Sequence, residues 1–189
     1  MVRKLEKVKC QQTKNGDLGL IDEMVTLWVL YIVLQRSAIL GRFFSSPTLI
    51  PAQARVLELP SEIYDILKIY YDEDFAREIQ KYFYNRINIE SNIMNAMITG
   101  DQNLVDAYTQ EHIRNSDALA ELLGKYHYWD EAQWKTYLYK GLELYFDEII
   151  ALQLKDYSKE LAIFEQVLKN ARAMGRYMSS GMVANIRDN

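Results

Sequence analysis

The stretch Asp72–Asp101, DEDFAREIQKYFYNRINIESNIMNAMITGD, decides how the chain is built. Asp72, Glu73 and Asp74 put negative charge where the free N–H groups of a helix start gather, and Gly100 is a natural stop. No proline or glycine interrupts the run, and Phe83, Ile87 and Met94 recur at helical spacing. The pattern predicts a helix to Thr99, with Asp101 capping the next one.

Upstream, a first helix begins near Asp17 and carries Ile21, Val25, Trp28, Ile32, Ile39 and Phe43, ending before Ser45-Ser46-Pro47. Pro51 to about Ile69 reads as helix broken near Pro60, a residue suited to a first turn. Downstream, Leu104, Ala107, Tyr108, Leu119 and Leu122 mark a helix to Gly124, followed by the aromatic loop Tyr126-His127-Tyr128-Trp129. Asp130 opens a helix to Leu154, and Asp156 starts one expected to end at Ser179 or Ser180.

Shifting the chain by 55 residues, and by 55 again, aligns Trp28, Phe83 and Leu138; Ile32, Ile87 and Leu142; Ile39, Met94 and Ile149; and Ala52, Ala107 and Ala162. The expected fold is therefore all-α: an antiparallel bundle of about six helical segments in three successive hairpins. Residues 17–180 form its single domain, preceded by a mobile basic arm at 1–16 and followed by a frayed tail at 181–189.

Composition excludes several functions. A net charge of −4 argues against nucleic acid, which needs a dense Lys/Arg field. The only cysteine, Cys10, permits no intramolecular disulfide and fits a cytoplasmic protein. The apolar run Met24–Leu34 is too short to cross a bilayer, and the basic start lacks the apolar segment of a secretory signal.

No catalytic motif is visible. The glycines never cluster into a phosphate cradle, no nucleophile elbow occurs, and no Glu-x-x-His pair offers di-metal ligands. His112 reads as a semi-buried helix residue and the tyrosine clusters as packing rather than a cofactor site. No cofactor is expected. A polar network at hairpin interfaces would draw on Arg36, Asn115, Asp117 and Glu148.

Leu27-Trp28 through Arg36, Leu59-Pro60-Ser61-Glu62-Ile63 followed by Tyr70-Tyr71, Asn115-Ser116-Asp117, Tyr128-Trp129 with Trp134, Glu148, and Asp156-Tyr157 carry a family resemblance. On these phrases the chain resembles an uncharacterised family of small all-helical bacterial proteins, mostly from spore-forming Gram-positive bacteria. Some members are labelled amino-acid (acetylglutamate) kinases, an activity for which this chain has no phosphate-binding element. The resemblance implies one histidine per hairpin on the first arm, where this chain has Tyr31, Arg86 and Gly141, spaced by 55 residues.

Two functions are compatible with these residues. The first is a non-catalytic bundle acting through self-association or a protein partner, motivated by the aromatic surplus. The alternative is a small-molecule or metal-binding protein with a site between hairpins near Tyr31, Arg36, Arg86, Asn115, Asp117 and Glu148.

Overall fold

A computed structural model describes the backbone of residues 2–188 and the side chains of residues 16–188. It contains α1 (Val2–Phe43), α2 (Leu49–Val56), α3 (Leu59–Tyr70), α4 (Glu73–Thr99), α5 (Gln102–Gly124), α6 (Glu131–Gln153) and α7 (Tyr157–Asp188). No strand occurs among the described residues. The fold is an all-α bundle, and α2 and α3 together make one broken arm.

Side-chain caps start four of the helices. Asp72 accepts from Phe75 N (2.8 Å), Asp101 from Leu104 N (3.1 Å), Asp130 from Ala132 N (2.6 Å) and Asp156 from Lys159 N (3.0 Å). Each satisfies a donor that the helix start leaves free, worth about 1 kcal/mol. Gly100 ends α4 at φ 74°, where a residue with a Cβ would be strained. The α2–α3 break falls at Leu57 and Glu58, and Pro60 sits in the first turn of α3, where its missing N–H costs nothing.

The helices close into a ring. α1 packs on α2 and α3, α3 on α4, α4 on α5, α5 on α6 and α6 on α7, and α7 returns along α1. Turns alternate between the two ends of the bundle. At one end Phe44 and Tyr157 bring their rings to 6.0 Å, and Gln153 donates to Met97 O across two turns. At the other, Tyr71, Phe75, Tyr126 and Trp129 pack as an aromatic cluster.

Two terminal expectations change. The first helix does not start near Asp17: the backbone of the expected arm follows α1 from Val2, because nothing from Arg3 to Asn15 is a proline or glycine. The mobility and side chains of residues 1–15 lie outside the described residues. The tail is not frayed either, since α7 continues to Asp188 with Met182 and Val183 buried. Met174, Met178 and Met182 extend one apolar stripe past Ser179-Ser180, so the last turns have a core face to bury.

Glycines allow α7 to approach its neighbours. A Cβ on Gly175 would lie 2.8 Å from the Cα of Val25 in α1, and one on Gly181 would overlap the Trp129 indole, whose Nε1 donates to Tyr177 O (3.2 Å). Gly19 has open space around it. Gly181→Ala is therefore expected to lose about 1–3 kcal/mol through overpacking, with a shift in tryptophan fluorescence. Gly19→Ala should gain roughly 0.5–1 kcal/mol from helix propensity alone. Denaturant titration of both variants checks the pair; equal effects would contradict this packing.

Candidate functional site

Arg86 and Glu90 lie one helical turn apart on α4, the spacing of an ordinary surface ion pair. Here both side chains are buried, with Arg86 Nε 2.9 Å from Glu90 Oε1. His112 Nε2, from α5, stands 3.2 Å from the same oxygen. From α1, the Tyr31 hydroxyl donates to Glu90 Oε2, and Gln35 Nε2 donates to it at 2.6 Å. Tyr145 of α6 donates to the Glu90 backbone carbonyl at 2.6 Å. Four helices meet on one residue.

The charge states follow from these neighbours. Burial works against an ionised Glu90, but the Arg86 guanidinium and the donors from His112 and Tyr31 outweigh it and hold the carboxyl below its usual range. Burial and the nearby Arg86 charge lower the His112 pKa, with Glu90 opposing. His112 is thus neutral at pH 7. Its Nε2–H donates to the carboxylate, which leaves Nδ1 to accept from the Ser116 hydroxyl at 3.4 Å. Burial, then the Glu90 charge, pushes Tyr31 well above the usual phenol range. The cluster carries one cation and one anion.

Above it opens a cavity of about 270 Å³ between α1, α2, α4 and α6. Tyr31, Gln35, Glu90 and Tyr145 line it on the polar side, and Ala38, Ile39, Val56, Ile87 and Met94 give it apolar walls. Gln53, Asn88 and Ser91 are its remaining polar residues, less buried than Tyr31 and Glu90. Gly141 lies beside the cluster, where a Cβ would come 3.2 Å from Arg86 Nη2. Tyr31, Arg86 and Gly141 therefore converge.

A second cluster joins α1, α6 and α7. Arg36 grips Glu160 with two bonds, Nε to Oε1 at 2.7 Å and Nη2 to Oε2 at 2.9 Å, and lies 4.5 Å from the Phe164 ring centre. Glu148 Oε1 is 3.7 Å from Arg36 Nε, close enough for attraction but too far for a hydrogen bond. Burial first, then the Glu160 charge, raises the Glu148 carboxyl to about 8, with Arg36 pulling the other way. At that value Glu148 keeps its proton at neutral pH, with Glu160 as the neighbouring carboxylate.

Of the residues expected at a site, Tyr31 and Arg86 meet at Glu90, and Arg36 meets Glu148 at Glu160. Asn115 is buried but separate, donating to Tyr82 O at 3.1 Å. Asp117 belongs to no interior network: it faces outward, 3.6 Å from Lys135 Nζ and accepting from the Tyr139 hydroxyl. Two residues along a helix turn about 200°, so Asn115 faces the interior and Asp117 the solvent.

Glu90, Glu160 and Gln35 are the residues that sequence reasoning missed, and His112, expected to be semi-buried, is fully enclosed against Glu90. One signal was available, since Gln35, Glu90 and Tyr145 are spaced by 55 residues like the core positions. Among the described residues, no group of three or more His, Cys, Asp or Glu side chains gathers as metal ligands. No described helix is long and apolar enough to cross a membrane. No family model, curated protein or solved structure matches the chain.

The Glu148 proton has a consequence for stability. Its folded pKa of about 8 exceeds the ordinary 4.5, so between these values the folded state holds a proton that the unfolded chain has lost. The stabilisation is complete below about pH 4.5 and disappears as pH rises through 8. Glu148→Gln keeps a donor toward Glu160 without a titrating group. At pH 8.5 this variant is expected to exceed the parent by on the order of 1–2 kcal/mol, with a flatter profile from pH 5.5 to 8.5. Thermal melts across that range test it, and parallel profiles would show that Glu148 is ionised throughout.

Proposed function

We propose that the protein is a non-catalytic binder of a small molecule, held in the cavity between α1, α2, α4 and α6. The observation that carries this reading is a half-open cavity of about 270 Å³ placed against a buried charge cluster in which both Glu90 oxygens are engaged. Chemistry would need a group with a proton to give or take. Glu90 is engaged at both oxygens, and His112 behind it at both nitrogens, so Glu90 acts as a fixed part of the polar wall.

We also infer that the bundle is one hairpin repeated three times. In support, Ser45, Gly100 and Lys155, spaced by 55 residues, all have positive φ, and each is followed by the same turn bond: Ser46 N to Gly41 O, Asp101 N to Ala96 O, and Asp156 N to Ala151 O. Asn115 donates to Tyr82 O, and Asn170, 55 residues later, to Tyr137 O at 3.1 Å. At the matching place in the first hairpin stands Pro60, which has no such donor, and it is this arm that breaks beside the cavity.

Native mass spectrometry of untagged full-length protein tests the binding reading. Extra mass lost on denaturation is the expected result. Ala38→Phe, which fills the cavity from α1, should abolish that mass while the circular dichroism of the helices is kept. Bare chains, together with no thermal shift against a metabolite collection, would refute the proposal.

Association is the second reading, favoured by the end of the bundle that carries the turns at 44–48, 100–101 and 154–156. Phe44, Ile50, Leu154, Tyr157 and Leu161 are all exposed there. Sedimentation velocity should then show a dimer or larger species that Leu154→Lys with Leu161→Lys returns to monomer. A concentration-independent monomer in the parent removes this reading.

A further inference from the structure

We infer that the ligand of the α1–α2–α4–α6 cavity is an uncharged, mostly apolar molecule on the order of ten heavy atoms with one hydrogen-bonding group. This rests on the binding reading above and adds the chemistry of the ligand. Size comes from the cavity, whose volume of about 270 Å³ equals roughly nine water volumes.

Charge is decided by what the cavity has left to offer. A carboxylate accepts through about four lone-pair directions. At Glu90, Oε2 accepts from Tyr31 and Gln35, and Oε1 meets His112 and the Arg86 guanidinium, whose charge already balances the carboxylate and repels an ammonium group. An incoming anion has no cation to meet either. Arg86 lines the small void beside Gly141 rather than this cavity, and Arg36 is held by Glu160 on the far side of α1. A charged group seated against this inner wall would therefore lose its water without gaining an unpaired counter-charge, at a cost of several kcal/mol.

Polarity is decided in the same way. Tyr31, Gln35 and Tyr145 already direct their donors to Glu90. The side chains of Gln53, Asn88 and Ser91 make no hydrogen bond among the described residues, and all three are neutral amide or hydroxyl groups able to donate and accept. They match a hydroxyl, carbonyl or amide at the outer end of the ligand, with its apolar body against Ala38, Ile39 and Met94.

Three probes sharing one chain separate the possibilities: 1-octanol, octylammonium and octanoate, titrated into the full-length protein at pH 7 by calorimetry. Nuclear Overhauser contacts from the probe to the Ala38 and Met94 methyl groups locate the site without any variant. The expected result is 1-octanol bound at least about tenfold tighter than either ion, with contacts to both methyls. An ion that binds at these methyls as well as the alcohol overturns the inference and leaves the small-molecule reading standing. Should none of the three bind, the mass retained by the native protein decides, a neutral species supporting the inference and an ionic one overturning it. No probe bound and no mass retained defeats the binding reading itself.

Discussion

Glu90 is an ionised carboxylate with almost no contact with water, and the register of the bundle depends on holding that charge. Moving a carboxylate into the interior costs several kcal/mol, offset here only because donors arrive from α1, α4 and α5 while Tyr145 of α6 fixes the backbone beneath it. Such a cluster adds little net stability over a well-packed apolar core. Its effect is on the alternatives. A one-turn slide of α4 would carry the Arg86–Glu90 pair away from His112 and Tyr31 and leave the carboxylate dry without the donors that α1 and α5 supply. Apolar stripes alone tolerate such slides far better, since one leucine-sized side chain replaces another at little cost.

The cavity has its origin in the broken arm. α5 and α7 run straight through the level of the cluster, and their His112 and Val167 side chains fill the interior. Leu57, which precedes these residues by 55 and 110 positions, falls instead at the break and stands half-exposed on the cavity wall. Pro60 keeps α2 and α3 from joining, because a proline inside a continuous helix would remove a hydrogen bond and clash with the carbonyl four residues before it.

Much of the fold was legible because helix punctuation is local. Asp72, Asp101, Asp130 and Asp156 announce their helices through an oxygen that needs only the next few amides, and Gly100 announces an end through its own backbone. The ends of the chain were misjudged because burial there depends on remote partners: Met182 and Val183 look like a tail until Trp129, some fifty residues earlier, is seen to lie against Gly181. The site divides along the same line. Tyr31, Arg36, Arg86 and Glu148 stood out by residue type or repeat position. Glu90 and Glu160 did not, since a glutamate one turn after an arginine, or in the first turn of α7, has a sufficient local reason to be there. Only the closed ring shows that both are dry.

The two buried charge clusters also divide their electrostatic roles. Around Glu90 every titratable group is pushed away from neutrality in the direction that preserves its state: the carboxyl downward, His112 downward and Tyr31 upward. Each group therefore keeps its charge state at neutral pH, and the charge facing the cavity is fixed. Around Arg36 a single cation faces two carboxyls, so one of them must keep a proton, and it does so near pH 8. That second cluster lies at the α1–α6–α7 contact, away from the cavity walls, and Arg36 retains access to solvent. Alkaline pH therefore acts on how firmly α6 and α7 are held to α1, while the charge balance facing the ligand cavity stays as it is. The sensitivity sits where the bundle closes, and the constancy sits where it opens.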